Sequence, residues 1–243
     1  MSDRILFLKW DTNFFQCKVG KIVLKQSDIT LNACLKLAFQ EGFKFLYIFS
    51  DYIISCQKTN FSSVFDVGGQ ILFSKNLYAS PENIVSPSNI NSFDGETLPP
   101  DILKLAYFSG HLSRFDIDPL ISTNRFEKMY ALWMQNTLCN KPDSEIYIYN
   151  INNCNVALVT AEFSKDHCTI GLIAVSAQFQ GQGIASKLLS YVQAECIQRN
   201  ISCLNVKTQL INHNAISLYK KNGFAEVERS FLYHAHLNNL HRA

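Results

Sequence analysis

The 243-residue sequence lacks a long, uninterrupted hydrophobic run. Its most apolar segment, residues 43–54, contains Lys44 and Asp51 and is far shorter than the roughly 20 apolar residues of a membrane-spanning helix. The N-terminus, Met1 to Arg4, leads into a short strand-like run and not into a signal-peptide core. We therefore expect a cytoplasmic protein with no membrane partner.

Charge of either sign is also scarce. Lysine and arginine total 22 against 20 aspartates and glutamates, which gives a formal net charge of +2. Proteins that bind nucleic acid draw most of their affinity from clustered cations. The small net charge therefore predicts that this protein has no nucleic-acid partner.

No Cys-x-x-Cys pair occurs among the eight cysteines. An even count would permit four disulfides, but no secretion signal accompanies it, so reduced thiols are expected. His234 and His236 fall on one side of a predicted strand, yet the sequence offers no evident third ligand. No metal site is predicted.

Apolar residues, by contrast, are plentiful. They make up 47% of the chain and include 18 phenylalanines and 10 tyrosines, which excludes global disorder. Turn-forming residues cluster between Tyr78 and Pro100. The predicted organisation is an N-terminal lobe at 1–78, a linker at 79–98 and a domain at 99–243.

Periodicity predicts an α/β fold with a mixed sheet. The lobe is predicted as β-β-α-β-β, beginning with strands at 5–9 and 19–25. The larger domain is predicted as α-α-β-β-β-α-β-α-β. Its first helix begins at Pro100, a residue suited to the first turn because the N–H that proline lacks would be unpaired there anyway.

The most informative segment is 173–185, where a predicted strand enters a loop and the loop opens a helix. Gly181 and Gly183 let a ligand approach the backbone closely because neither residue has a Cβ. The helix start supplies unpaired N–H donors and the positive end of the helix dipole. This arrangement suits an anion such as a pyrophosphate, although it matches neither the Walker nor the Rossmann glycine pattern.

The spacing Gln180-x-x-Gly183-x-Ala185 resembles the coenzyme A signature of the GNAT acyltransferases. A second motif agrees with that family, Asn212-x-x-Ala215-x-x-x-Tyr219 followed by Gly-Phe. The resemblance implies the GNAT fold, here with an additional smaller N-terminal α/β lobe. It also implies direct acyl transfer from acetyl-CoA or another short acyl-CoA.

The resemblance assigns roles residue by residue. Strand residues 173–175 would pair with the pantetheine arm, the amides of 181–186 would hold the pyrophosphate, and Asn212 would bond the arm. Tyr219 would be the general acid at the thioester sulfur. The residues thus assigned to the co-substrate are Ile173, Ala174, Val175, Gln180, Gly181, Gln182, Gly183, Ile184, Ala185, Ser186 and Asn212.

Each role has a purely structural alternative. Gln180 would then cap its turn, Asn212 would be a helix N-cap, and Tyr219 would pack in the core. The general base is left open. Its candidates are His111, His213, Glu162 and ordered water.

Two further segments resemble bacterial dTDP-amino-sugar N-acyltransferases of the dTDP-fucosamine acetyltransferase type. They are residues 8–15 and the Ser113-Arg114-Phe115 segment with the helix that follows it. This resemblance implies a dTDP-linked 3- or 4-amino-dideoxyhexose as acceptor, in surface polysaccharide biosynthesis. It implies small-molecule partners and leaves a homodimer open.

Arg114, Phe115 and Asp116 are the predicted acceptor-binding residues. Arg114 would bind phosphate through its planar fork, or merely balance the end of the first helix of the domain. Asp116 and Asp118 would hold a substrate ammonium, or form a solvated loop. The alternative functions are a GNAT acting on a protein, peptide or polyamine amine, and a non-catalytic acyl-CoA sensor.

Overall fold

The computed structural model describes residues 5–25, 31–56, 62–78 and 89–237. The first half of the predicted linker, 79–88, lies outside these ranges. The strands are β1 (Leu6–Phe7), β2 (Val19–Leu24), β3 (Phe45–Ser50), β4 (Ser62–Asn76), β5 (Ile90–Ser92), β6 (Ser144–Ile151), β7 (Cys154–Phe163), β8 (His167–Val175), β9 (Cys203–Gln209) and β10 (Ala225–Leu237). The helices are α1 (Lys9–Phe15), α2 (Leu31–Gln40), α3 (Pro100–Ser109), α4 (Arg114–Ile117), α5 (Thr123–Cys139), α6 (Ile184–Gln198) and α7 (His213–Lys221).

The chain divides into two compact units that interleave along the sequence. The first comprises Met1–Gln70, Ser113–Leu120 and Arg229–Ala243, and the second comprises Ile71–Leu112 and Ile121–Glu228. The first unit thus includes two segments of the predicted domain 99–243, and the second unit includes residues 71–78 of the predicted lobe. The division into a lobe at 1–78 and a domain at 99–243 stays a prediction.

In the first unit, β2 pairs in parallel with β3, and β1 and β10 add antiparallel neighbours to β2 and β3. Helix α2 makes the crossover between the parallel strands, as such a connection requires. Its fully buried Leu35 and Ala38 pack in one core cluster with Leu46 and Ile48 of β3. One prediction was wrong here, since the strand expected at 5–9 is limited to β1 and α1 follows directly.

In the second unit, β5 to β8 form an antiparallel series, and β9 pairs in parallel with β8. Leu188, Val192 and Cys196 of α6 are fully buried and recur at helical spacing against this sheet. A separate cluster joins Ile102 of α3 and Met134 of α5 to the strands. The predicted mixed α/β fold class is confirmed.

Besides α1, two short elements were not predicted. β5 lies inside the predicted linker and pairs with β6, and α4 follows the first helix of the predicted domain. In the described part of the chain, no helix is both long and apolar enough to cross a membrane.

Gly110 ends α3 against two aromatic rings of α5 and offers a test of this packing. An added Cβ would lie 2.6 Å from Phe126 Cζ and would also contact the ring of Tyr130. Both rings are buried and therefore have little freedom to move aside. We expect Gly110→Ala to lower the free energy of unfolding by about 1–3 kcal/mol. Urea denaturation would measure it, with exposed Lys104→Ala of α3 as the control, and equal stability of both variants would contradict this packing.

Candidate functional site

The loop after β8 has the backbone conformation that its glycines permit. A 3₁₀ turn, Ala177–Phe179, leads into Gly181 and Gly183, and both glycines have φ of +75°. A Cβ added at either position would meet nothing within 4 Å. Because the space beside both glycines is open, a ligand has direct access to the backbone there.

The first turn of α6 leaves its amide groups available. Gly183 is the N-cap residue and provides no side-chain cap. The first helical hydrogen bond runs from Lys187 N to Gly183 O, so the amides of 184–186 have no partner within the helix. Donors arranged in this way, at the positive end of a 15-residue helix, are suited to binding an anion.

Strands β8 and β9 pair over only part of their length. Their parallel register runs from His167 opposite Cys203 to Ile170 opposite Val206. β8 then continues to Val175, paired only with β7 on its other side. The edge of β8 over 171–175 is therefore open, and an extended ligand can add to it as a strand would.

A β-bulge lies where this open edge begins. Val159 is opposite Ile173 and Ala161 is opposite Ile170, so two β8 residues face the single residue Thr160. Leu172 N donates to Thr160 Oγ1 at 2.8 Å, which fixes the bulge. Bulges re-aim strand groups and are common beside active sites.

The second motif lies close to the start of α6. Asn222, just beyond α7, donates from Nδ2 to Ser186 Oγ at 3.1 Å. Val175, Ile184 and Tyr219 belong to one core cluster, against which Ile173 and Ala185 pack. The structure thus brings together the strand, loop and helix residues that the sequence singled out.

The structure contains the contacts of all three structural alternatives, and the first two are hydrogen bonds. Gln180 Nε2 donates to Val175 O at 3.1 Å and so closes the turn. Asn212 is the N-cap of α7, and its Oδ1 accepts from Ala215 N at 3.1 Å. Both contacts are compatible with ligand binding, which stays a prediction for these two residues.

Tyr219 is 2% exposed and packs against the rings of Phe73 and Phe224. Burial raises the pKa of Tyr219 well above its usual value. The hydroxyl is therefore protonated throughout the physiological range. It can donate a hydrogen bond, whereas a buried tyrosinate would be costly.

The three predicted candidates for the general base, His111, His213 and Glu162, are all exposed. Glu162 lies beside the bulge, because a Cβ added at Gly171 would be 4.0 Å from Glu162 Oε1. The Glu162 carboxylate therefore lies near the residue of β8 at which the open edge begins.

The predicted acceptor residues belong to the first unit. Arg114 begins α4 and does not end the preceding helix, since α3 stops at Ser109. Its guanidinium lies over the rings of Tyr47 and Phe115, at 4.8 and 4.5 Å. Phe115 is 3% exposed and Asp116 is exposed. Acceptor binding by these residues stays a prediction.

Asp118 is not a solvated loop residue, so that expectation for it was wrong. It is buried, and its Oδ2 accepts from His234 Nδ1 at 2.6 Å and from His236 Nε2 at 2.8 Å. The sequence did not reveal Asp118 as a third potential ligand beside His234 and His236. The potential metal-ligating atoms of the three residues lie within 4.8 Å of one another, and here they bond to each other.

These contacts shift the pKa values of both buried partners. Burial alone would raise the pKa of Asp118, but hydrogen bonds from His234 and His236 hold it well below its usual value. Burial lowers the pKa of His234 to about 4, although its bond to Asp118 acts in the opposite direction. The cluster is therefore an ionised carboxylate with a neutral His234.

Comparison with known proteins agrees with the geometry of the loop and helices. Residues 113–224 match the acetyltransferase (GNAT) family model. The match spans the bulge, the glycine loop, α6 and α7. This part of the chain, just under half of its length, is therefore similar to the GNAT acetyltransferases.

Two curated proteins of Bacillus subtilis (strain 168) are similar in sequence. The spore coat polysaccharide biosynthesis protein SpsD is 28% identical over 133 residues, which are 55% of this chain and 46% of SpsD. The uncharacterized protein YxbD is 31% identical over 83 residues, 34% of this chain and 50% of YxbD. The chain thus spans about half the length of these relatives.

Solved structures share the fold. A functionally unknown conserved protein of Staphylococcus epidermidis is 14% identical with a TM-score of 0.61, covering 97% of this chain and 91% of its own. A GCN5-related N-acetyltransferase of Sphaerobacter thermophilus is 15% identical with a TM-score of 0.52, covering 88% and 72%. At these identities the likeness concerns the fold alone.

The buried histidine predicts an acid-sensitive first unit. An unfolded His234 would take up a proton near its ordinary pKa of 6.5, whereas the folded one does so only near 4. The unfolded state therefore binds more protons between these values, and stability is lost as the pH falls through them. We expect a slope of up to about 1.4 kcal/mol per pH unit from this one group.

His234→Asn preserves a donor near the Nδ1 position but cannot titrate. We expect it to be less stable than the unsubstituted protein at pH 7 and to show a flatter pH dependence between pH 7 and 4.5. Urea denaturation at several pH values measures this, with exposed His213→Asn as the matched control. An unchanged slope in His234→Asn would refute the assignment.

Proposed function

We propose that this protein is an N-acyltransferase that moves an acyl group from an acyl-CoA thioester to the amino group of a dTDP-linked 3- or 4-amino-dideoxyhexose. The reaction would serve surface polysaccharide biosynthesis. The acyl group would be acetyl or a larger one such as 3-hydroxybutyryl. The observation that carries the proposal is the open edge of β8 leading into the glycine loop at the uncapped start of α6.

Both parts of this arrangement suit coenzyme A. Its pyrophosphate would accept hydrogen bonds from the amides of 181–186, where two glycines keep the approach open. Its pantetheine amides would pair with Ile173, Ala174 and Val175 along the unpaired edge. An arm held in this way would extend along β8 toward the bulge at Thr160.

The transfer itself requires little covalent chemistry from the protein. A neutral acceptor amine attacks the thioester carbonyl, the N–C bond forms, and the C–S bond breaks. A backbone N–H of β8 where the arm ends, beside the bulge, would stabilise the oxyanion that develops, and one such donor contributes about 3–4 kcal/mol in other enzymes. No acyl-enzyme is needed, so no cysteine need act as a nucleophile.

Tyr219 would protonate the departing sulfur. Its hydroxyl is protonated at neutral pH because burial raises its pKa. It would donate a hydrogen bond to the thiolate and deliver the proton as the C–S bond breaks. The proton that the amine loses on acylation balances the one that the thiol gains.

The sugar acceptor is supported by two sequence resemblances and by one relative. The segments 8–15 and 113–115 resemble dTDP-amino-sugar N-acyltransferases, and SpsD is described as a spore coat polysaccharide biosynthesis protein. Arg114, Phe115 and Asp116 stay the proposed acceptor residues on this basis.

Release of free thiol tests the proposed reaction. Acetyl-CoA and 3-hydroxybutyryl-CoA would each be incubated with dTDP-4-amino- and dTDP-3-amino-dideoxyhexoses, with spermidine and a lysine peptide as comparison acceptors. We expect turnover with a nucleotide sugar only. Turnover with spermidine or peptide alone would contradict the sugar acceptor. Binding of acyl-CoA without any turnover would favour a sensor.

Tyr219→Phe separates catalysis from binding. We expect kcat to fall about 100-fold, within the usual contribution of a general acid, while acyl-CoA affinity changes little. Tyr191→Phe, on α6 and away from the second motif, is the matched control and should retain full activity. Calorimetric titration with acetyl-CoA and initial rates measure the two effects. Equal rates for both variants would show that Tyr219 only packs the core.

A further inference from the structure

The second unit contains a cavity of about 900 Å³ beside α5 and the antiparallel strands. This volume falls within the range of small-molecule sites. The mechanism above assigns no ligand to it. The lining residues that matter for its chemistry are Trp133, Asn136, Asn140, Thr160, Glu162 and Gly171.

The cavity reaches the β-bulge. Thr160, Gly171 and Leu172 are among its lining residues, and the same three residues form the bulge. A Cβ at Gly171 would lie 2.8 Å from Thr160 Oγ1, so the glycine preserves the space at this end. β8 continues directly from Leu172 into the segment proposed to hold the pantetheine arm. A ligand in the cavity would therefore reach the place where the thioester is expected.

The charges of the lining favour a cation over a phosphate. The charged lining residues are Lys141, Asp143 and Glu162. Lys141 is already engaged, with its Nζ 3.5 Å from Glu145 and donating to Phe93 O at 2.6 Å. The two carboxylates thus outnumber the one ammonium group, which is committed elsewhere.

The remaining lining suits a hydroxylated ligand. Asn136, Asn140 and Thr160 offer amide and hydroxyl groups that both donate and accept hydrogen bonds. Trp133 is partly exposed and provides an aromatic surface. Small-molecule sites commonly combine such an aromatic surface with a few convergent polar groups.

We propose that this cavity binds the amino-sugar part of the acceptor, with the amine hydrogen-bonded to Glu162 and the sugar ring against Trp133, and that it excludes the nucleotide diphosphate. The proposal rests on the acyltransferase function proposed above and assigns its acceptor subsite. It makes Glu162 and Trp133 determinants of acceptor specificity.

The sequence contains only two tryptophans, which permits a direct optical test. Trp10→Phe leaves Trp133 as the single reporter, and Trp10 is a partly exposed residue of the first unit. Fluorescence of this variant would be titrated with D-glucosamine, N-acetyl-D-glucosamine and dTDP. We expect a saturable change with glucosamine, a weaker response to the uncharged N-acetyl sugar, and none with dTDP.

Two further substitutions in the Trp10→Phe background identify the contacts. Glu162→Gln should weaken glucosamine binding about tenfold, as expected when a charged hydrogen-bond partner is lost. Asp166→Asn, which removes an exposed carboxylate outside the cavity, should leave binding unchanged. Circular dichroism would verify that both variants are folded.

Any of three results would overturn the proposal. They are an unchanged Trp133 fluorescence on addition of glucosamine, equal glucosamine affinity in Glu162→Gln and Asp166→Asn, and a saturable response to dTDP. Calorimetric titration of the same protein with acetyl-CoA separates this outcome from failure of the proposed function. Loss of coenzyme A binding would count against the acyltransferase, whereas glucosamine binding reports on the cavity by itself.

Discussion

The candidate site depends on two parallel strands that stop pairing halfway along. Beyond Ile170 and Val206, β8 and β9 share no register, and β8 presents an unpaired edge. Exposed edges are usually protected because they attract other strands. In this protein the edge ends in a glycine loop and a helix start. The backbone groups of the strand edge and of the helix start that can bond a ligand therefore lie close together.

The neighbouring elements hold that opening in place. On one side of β8, the bulge at Thr160 is fixed by the bond from Leu172. At the end of β8, Gln180 closes the turn onto Val175, and Asn222 bonds Ser186 at the start of α6. In these contacts, side-chain groups fix the geometry of the loop, and the backbone amides of the helix start stay available to a ligand. Sites built from backbone amides on rigid elements are well preorganised for an anion.

Local sequence signals predicted the elements that make this site. The spacing of Leu188 and Val192, the glycines after β8 and the N-cap at Asn212 each act within a few residues. The bulge depends on the register between β7 and β8, and Asp118 meets His234 from 116 residues away. Such pairings are set by tertiary contacts and leave no local pattern. Helix α1 was not predicted, because it has only seven residues and its N-cap residue, Leu8, provides no side-chain cap.

The most direct measurement is amide hydrogen exchange with and without acetyl-CoA. If the open edge of β8 accepts the pantetheine arm as an extra strand, exchange should slow at residues 171–175 and at 181–186. The paired part of β8, 167–170, should change little because its hydrogen bonds are already made. Binding that slows exchange elsewhere and leaves both segments unchanged would contradict the account.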